Sequence, residues 1–83
     1  MASEKDRSDH PWKVILYNDD THTFEDVVYQ LQKALDCSLL RAVELTYLAH
    51  ARNQSIVFKG AFETCHVIIN TLREIDLNVN ICG

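Results

Sequence analysis

The sequence comprises 83 residues, of which 47% are hydrophobic, with two glycines and one proline. This length and composition predict one small globular domain and exclude a linker-like or disordered chain. The formal net charge is −4 at pH 7, and the eight lysines and arginines are scattered along the chain. A basic face is therefore not expected, which excludes nucleic acid as a favoured partner. No apolar run approaches the roughly 20 residues that a membrane span needs, so we expect no membrane association.

The first ten residues mix both charge signs and contain no apolar stretch. We therefore expect a short flexible tail over residues 1–10, rather than a targeting segment, followed by a core domain over residues 11–83. Cys37, Cys65 and Cys82 form no C-x-x-C pair, a usage typical of buried thiols in a reducing compartment. Because the paired spacings of structural zinc sites are missing, we predict no metal and no cofactor.

Hydrophobic periodicity predicts the element order β-α-α-β-α-β. The predicted strands cover residues 12–17, 55–60 and 76–82, and the predicted helices cover residues 24–36, 39–52 and 61–75. Thr23 and Ser38 are placed to cap the first two helices, since their hydroxyls can accept from free amides. Three strands mixed with three helices indicate an α+β domain, in which a three-stranded antiparallel sheet carries the helices on one face.

The first strand ends abruptly in the polar cluster Asn18-Asp19-Asp20-Thr21. Such side chains bond their own backbone, so an ordinary turn is one interpretation. A polar corner between a strand and a helix also holds acceptors on a rigid support, where binding groups are often found. A magnesium site or a general acid-base pair is a further alternative, although no third ligand or nucleophile is visible nearby in the sequence.

His50 is the second feature of interest, because it shares one helical stripe with Leu39, Val43, Thr46 and Tyr47. This spacing predicts that His50 faces the interior, either bonded to the backbone or as a neutral imidazole that accepts a hydrogen bond. An amide oxygen, a carboxylate and an imidazole acceptor that converge would satisfy the three N–H groups of an ammonium. His22 and His66 carry less weight, since solvent is the default for His22 in the turn.

The motifs around this corner and this histidine resemble the ClpS family, adaptors that recognise N-degrons for the Clp unfoldase-protease. The resemblance is carried by Lys13–Asp20, Phe24–Val28, Leu31–Lys33, Arg41–Leu45 and Ala49-His50. It implies binding without catalysis, in which Asn18, Asp19 and His50 grip the free α-amino group of a substrate. It also implies an apolar pocket for a first residue such as Leu, Phe, Tyr or Trp, lined by Tyr17, Asp20, His22, Phe24, Val27, Thr46, Ala49 and Val79.

The implied partners are N-degron proteins and the N-terminal domain of a ClpA- or ClpC-type unfoldase. The resemblance further implies a monomer in the bacterial cytoplasm, or alternatively in the plastid stroma. The chain departs from the family where His22-Thr23-Phe24 replaces Thr-Pro-Met and where Thr46 replaces a common Met. Two alternatives follow: an interaction module of the same fold with a repurposed pocket, and a metal-dependent hydrolase that uses Asp19, Asp20, His22 and His50.

Overall fold

The computed structural model describes residues 11–83, so the tail predicted over residues 1–10 lies outside the described residues. The elements follow the predicted order β-α-α-β-α-β, with one added 3₁₀ turn before the last strand. They are β1 (Trp12–Tyr17), α1 (Phe24–Leu35), α2 (Leu39–Arg52), β2 (Gln54–Gly60), α3 (Phe62–Leu72), the 3₁₀ turn (Arg73–Ile75) and β3 (Val79–Cys82).

The three strands form one antiparallel sheet in the order β2-β1-β3, which confirms the predicted fold class. The central strand β1 buries Val14 and Leu16 almost completely against the helices. On the opposite face of the sheet Ile56 is 41% exposed. Period-two alternation therefore sorts the strand side chains between a helix-covered face and an open face.

Both predicted helix caps are present. The backbone N–H of Asp26 donates to Oγ1 of Thr23 (3.1 Å), and the backbone N–H of Arg41 donates to Oγ of Ser38 (3.1 Å). Each hydroxyl satisfies an amide that has no partner inside its helix. The starts of α1 and α2 are thus fixed by local chemistry, and with them the two loops that precede these helices.

The buried face of α2 differs from the predicted stripe. Its buried side chains are Ala42, Leu45, Thr46 and Ala49, whereas Leu39 and Tyr47 are both 60% exposed. Apolar residues occupy two neighbouring stripes of this helix, and helical spacing alone does not choose between them. The prediction that His50 faces the interior is wrong for the same reason, because its side chain is exposed.

Other differences lie in the C-terminal half of the chain. The last strand begins at Val79 rather than near residue 76, because the 3₁₀ turn ends at Asp76 in a left-handed conformation (φ 61°). Phe62 is 46% exposed instead of inward and packs edge-on against Trp12, with ring centroids 5.0 Å apart.

The cysteines are all free, but only Cys65 is buried, whereas Cys37 is intermediate and Cys82 is exposed. The expectation of buried thiols is therefore wrong for Cys82. Over residues 11–83, none of the helices combines the length and the apolar character needed to cross a lipid bilayer.

Candidate functional site

A cavity of about 440 Å³ opens where β1 ends. Five segments surround it: the end of β1, the β1–α1 loop, the start of α1, the last turns of α2 and the segment that precedes β3. Its lining residues are Leu16, Tyr17, Asn18, Asp19, Asp20, His22, Phe24, Val27, Thr46, Ala49, His50 and Leu77. Segments far apart in the sequence thus form a single concave site, the usual form of a binding site for a small group.

The end of β1 is held on both sides by backbone hydrogen bonds. The N–H of Tyr17 donates to the carbonyl of Asn78 (2.9 Å), and the N–H of Asn18 donates to the carbonyl of Asn53 (3.0 Å). Asn53 ends α2 in a left-handed conformation (φ 71°), which Asn tolerates better than most residues do. The side chains of the polar corner therefore project from a fixed backbone.

The carboxylate of Asp19 organises the loop between β1 and α1. Its Oδ1 accepts from the backbone N–H groups of Thr21 (2.9 Å) and His22 (3.1 Å) and from the Thr21 hydroxyl (3.2 Å). Burial tends to raise the pKa of Asp19, but the hydrogen bonds from the His22 side chain and from both amides outweigh burial and lower that pKa. The corner is therefore a turn closed by a charged side chain, as the simplest interpretation of the sequence predicts.

His22 has more contacts than its place in a turn predicts. Its Nδ1 lies 2.9 Å from Oδ2 of Asp19, and its Nε2 contacts the backbone carbonyl oxygen of Ile75. The side chain is only 15% exposed. The Ile75 carbonyl is the main cause of a raised pKa for His22, with burial acting against it and Asp19 and Asp26 adding to it. The expectation that His22 faces solvent is therefore wrong, and its spacing three residues after Asp19 is the one local signal that could have indicated the pair.

The floor of the cavity is apolar and well buried. Leu16, Ala49 and Leu77 are 1%, 3% and 4% exposed, respectively. Thr46 is also buried, and its hydroxyl donates to the backbone carbonyl of Ala42 (2.7 Å), so this polar group already has a partner inside the helix. Phe24 is 45% exposed and stands at the rim. The floor can therefore accept an apolar side chain without leaving the Thr46 hydroxyl unpaired.

Seven of the eight residues predicted for the pocket line this cavity, and Val79 does not. Val79 belongs to β3, where it pairs with Leu16 of β1 and is buried in the sheet core. Leu77, two residues earlier, lines the cavity where the family resemblance had implied Val79. Leu16 and Leu77 were missed, because a strand residue and a loop residue of ordinary apolar type carry no local mark of a pocket.

The three residues predicted to bind an α-amino group, Asn18, Asp19 and His50, all line the same cavity. His50 stands on its exposed rim, near the end of α2. Within residues 11–83, no group of three or more His, Cys, Asp or Glu side chains is arranged to hold a metal ion. Asp19 and His22, two residues of the proposed hydrolase set, pair with each other instead.

The Asp19 interactions lead to a prediction about stability. We expect Asp19→Asn to lower the melting temperature at neutral pH, because Asn keeps the shape but removes the charge that pairs with His22. A carboxylate with a lowered folded-state pKa stabilises the fold above its unfolded pKa, and this contribution is lost as the pH falls through the folded value. The difference from wild type should therefore shrink in acid. The difference in melting temperature is measured by thermal unfolding at several pH values, monitored by circular dichroism.

The neighbouring Asp20→Asn is the matched control, since Asp20 is exposed and removing its charge spares the turn. We expect its melting temperature to follow that of wild type at every pH. Equal effects of the two substitutions would contradict the role of Asp19 in the turn.

Comparison with known proteins places this fold. Residues 7–78 match the family model of the ATP-dependent Clp protease adaptor protein ClpS. The solved structure of Agrobacterium tumefaciens ClpS2 bound to L-phenylalaninamide superposes with a TM-score of 0.82 at 18% sequence identity, covering 90% of this chain and 96% of that one. The shared fold therefore extends over nearly the whole of both chains.

Curated relatives are much longer proteins. The mouse E3 ubiquitin-protein ligase UBR1 is 32% identical over 66 residues, a match that covers 80% of this chain and 4% of the ligase. Human UBR2 is 32% identical over 65 residues, covering 72% of this chain and 4% of the ligase. The chain thus spans about 4% of the length of these relatives. The family model, in contrast, matches most of the chain, and this protein belongs to the ClpS family of Clp protease adaptors.

Proposed function

We propose that this domain binds proteins through a free N-terminal residue with a bulky hydrophobic side chain. The observation that carries the proposal is the composition of one cavity, whose mouth has the polar side chains of Asn18, Asp19 and His50 and whose floor is apolar. An N-terminal residue has the same two parts, an ammonium and a side chain attached to one carbon. The function is binding, in keeping with an adaptor family.

The polar mouth offers acceptors for the ammonium. An Asn amide oxygen, a carboxylate and a neutral imidazole can each accept one hydrogen bond from its three N–H groups. Oδ1 of Asp19 accepts hydrogen bonds from Thr21 and His22 within the turn. Among the described residues, Oδ2 contacts only Nδ1 of His22, at 2.9 Å. A carboxylate has about four lone-pair sites, which leaves Oδ2 able to accept from the ligand as well. Such charge-assisted bonds are roughly twice as strong as neutral ones.

The apolar floor supplies affinity for the first side chain. Burying a Leu or Phe side chain contributes roughly 1.5–3 kcal/mol, and a cavity of about 440 Å³ lies within the usual range for ligand sites. The relative Agrobacterium ClpS2 was solved with L-phenylalaninamide, an amino-acid amide with a free amine and an aromatic side chain. We extend this ligand class to Leu, Phe, Tyr and Trp at the first position of substrates of this chain.

A labelled peptide that begins with Leu or Phe tests this proposal directly. We expect the free-amine peptide to bind and its N-acetylated twin to bind at least about tenfold more weakly, because acetylation removes the charge and leaves acceptors at the mouth of the cavity without donors. His50→Ala should weaken the binding of the free-amine peptide and leave the binding of the acetylated peptide unchanged. Fluorescence anisotropy measures both affinities.

The control for that experiment is His66→Ala, which removes an exposed histidine from α3. This variant should bind both peptides as wild type does. Equal binding of the two peptides to wild-type protein would overturn the proposal.

The apolar floor leads to a second prediction. Ala49 is buried beneath the cavity, so Ala49→Leu places additional side-chain atoms where the first side chain would enter. We expect the affinity for a Phe-initiated peptide to fall by at least about tenfold, since the buried apolar area of the ligand is lost. The same substitution at exposed Ala51, two residues along the same helix, should leave binding unchanged.

Circular dichroism should show that both variants keep the helical content of wild type. Equal peptide binding by Ala49→Leu and wild type would show that the ligand does not use this cavity.

The proposal includes a destination for the bound protein. As a ClpS-family adaptor, the domain would deliver its ligand to a ClpA- or ClpC-type unfoldase in the bacterial cytoplasm or the plastid stroma. A second candidate is recognition of the same ligands for ubiquitin ligation, which the 32% identity to ligases UBR1 and UBR2 favours. An interaction module with a repurposed pocket would instead bind a protein partner without any preference for free N-termini.

Binding assays with candidate receivers separate these destinations. We expect the domain to retain the purified N-terminal domain of a ClpA- or ClpC-type unfoldase on an affinity column, also when a Phe-initiated peptide is present. Failure to retain either unfoldase domain, with peptide binding intact, would count against Clp delivery and leave ubiquitin ligation as the candidate. Retention of the unfoldase domain without peptide binding would favour the repurposed module.

A further inference from the structure

His22 joins two segments that close one end of the cavity. Its Nδ1 faces Oδ2 of Asp19 in the β1–α1 loop, and its Nε2 faces the carbonyl oxygen of Ile75, 53 residues away in sequence. Ile75 is the last residue of the 3₁₀ turn and lies two residues before Leu77 of the cavity floor. The ring therefore connects the polar corner to the segment that carries part of the apolar floor.

Each ring nitrogen faces a hydrogen-bond acceptor, and the Thr21 hydroxyl, which already donates to Oδ1 of Asp19, lies 3.1 Å from Nδ1 as well. A neutral imidazole has one N–H and can satisfy only one of the two acceptors, whereas an imidazolium has two and satisfies both. If Nδ1 lost its proton, its lone pair would face the carboxylate at 2.9 Å, and the Thr21 hydroxyl could donate to it only by giving up its bond to Asp19. If Nε2 lost its proton, the Ile75 carbonyl would lose its donor. With the side chain only 15% exposed, water has little access to replace either bond.

We propose that His22 is a positioning residue for the amine-binding corner, and that its imidazolium holds Asp19 and the β1–α1 loop against the Ile75 carbonyl. This inference rests on the proposed function, since Asp19 is taken as an acceptor for the ligand ammonium. In the protonated state the corner is preformed. After deprotonation one of the two bonds is lost, and the loop is held to the Ile75 segment less firmly.

The charged groups around His22 agree with this assignment. Asp19 and Asp26 favour the imidazolium from the loop and from the first turn of α1, and the Ile75 carbonyl favours it from the 3₁₀ turn. Glu74 and Asp76 flank Ile75 in sequence, Asp20 and His50 line the same cavity, and the His50 side chain comes from α2. Apart from the Ile75 carbonyl and His50, these groups are carboxylates.

The direction of the pH dependence follows from the raised pKa of His22. A group with a raised folded-state pKa contributes fully below its unfolded value, about 6.5 for His, and the contribution is lost as the pH rises through the folded value. The positioning effect should therefore be present in mild acid and fade above neutrality.

The test uses His22→Asn, which keeps a donor for Asp19, does not reach Ile75 and does not titrate. The ratio of the two dissociation constants, variant over wild type, is measured for a free-amine Phe peptide from about pH 6 to about pH 8.5. Taking the ratio cancels the effects of pH on the peptide amine and on the residues that both proteins share. We expect a ratio of about ten at the acid end that approaches one at the alkaline end.

A ratio that stays flat with pH would overturn the inference. A ratio that rises with pH would also overturn it, because it would mean that the imidazolium mainly repels the ligand ammonium. His66→Asn, an exposed histidine on α3, is the matched control and should give a ratio of one throughout. Circular dichroism checks that each variant is folded.

The protonation state is measured separately in peptide-free protein. Nitrogen-15 chemical shifts should show protons on both ring nitrogens of His22 at about pH 6.5, where half of an unperturbed histidine would be neutral. A singly protonated ring at that pH would overturn the inference. If wild type binds no free-amine peptide at any pH, the proposed function fails. A peptide that binds with a flat ratio removes only the role of His22.

Discussion

The anchoring of the C-terminal end of β1 is the constraint on which the candidate site depends. Backbone hydrogen bonds hold Tyr17 to the segment before β3 and Asn18 to the end of α2. Because β1 is the central strand, both neighbours contribute to the same corner. The acceptors of Asn18 and Asp19 therefore sit on rigid backbone, and a preformed site loses less entropy when a ligand binds.

The cavity separates two physical tasks between its mouth and its floor. The mouth is built from side chains at the ends of elements, where polar groups remain accessible. The floor is built from the middle of the packing, with Leu16 from the sheet, Ala49 from α2 and Leu77 from the last connection. Apolar burial provides affinity for a side chain, whereas paired acceptors provide selectivity, since a ligand without the donors leaves them unsatisfied.

Asp19 and His22 link the local turn to the tertiary structure. The Oδ1 of Asp19 closes the turn by itself, through amides two and three residues away. His22 then extends this turn to the carbonyl of Ile75, two residues before Leu77 of the cavity floor. A single pair of side chains thus fixes both the conformation of the loop and its distance from the floor, which couples the shape of the site to protonation.

The sequence by itself determined the element order, the two hydroxyl caps and the polar corner, because each depends on residues within a few positions of one another. Resemblance to a family also singled out Asn18, Asp19 and His50, which line one cavity in the structure. Only the tertiary structure decided which stripe of α2 is buried, since two apolar stripes compete until the sheet is in place. It likewise placed Leu77 rather than Val79 at the cavity and brought His22 against the carbonyl of Ile75. Those contacts join segments more than 50 residues apart, and local propensity carries no information about them.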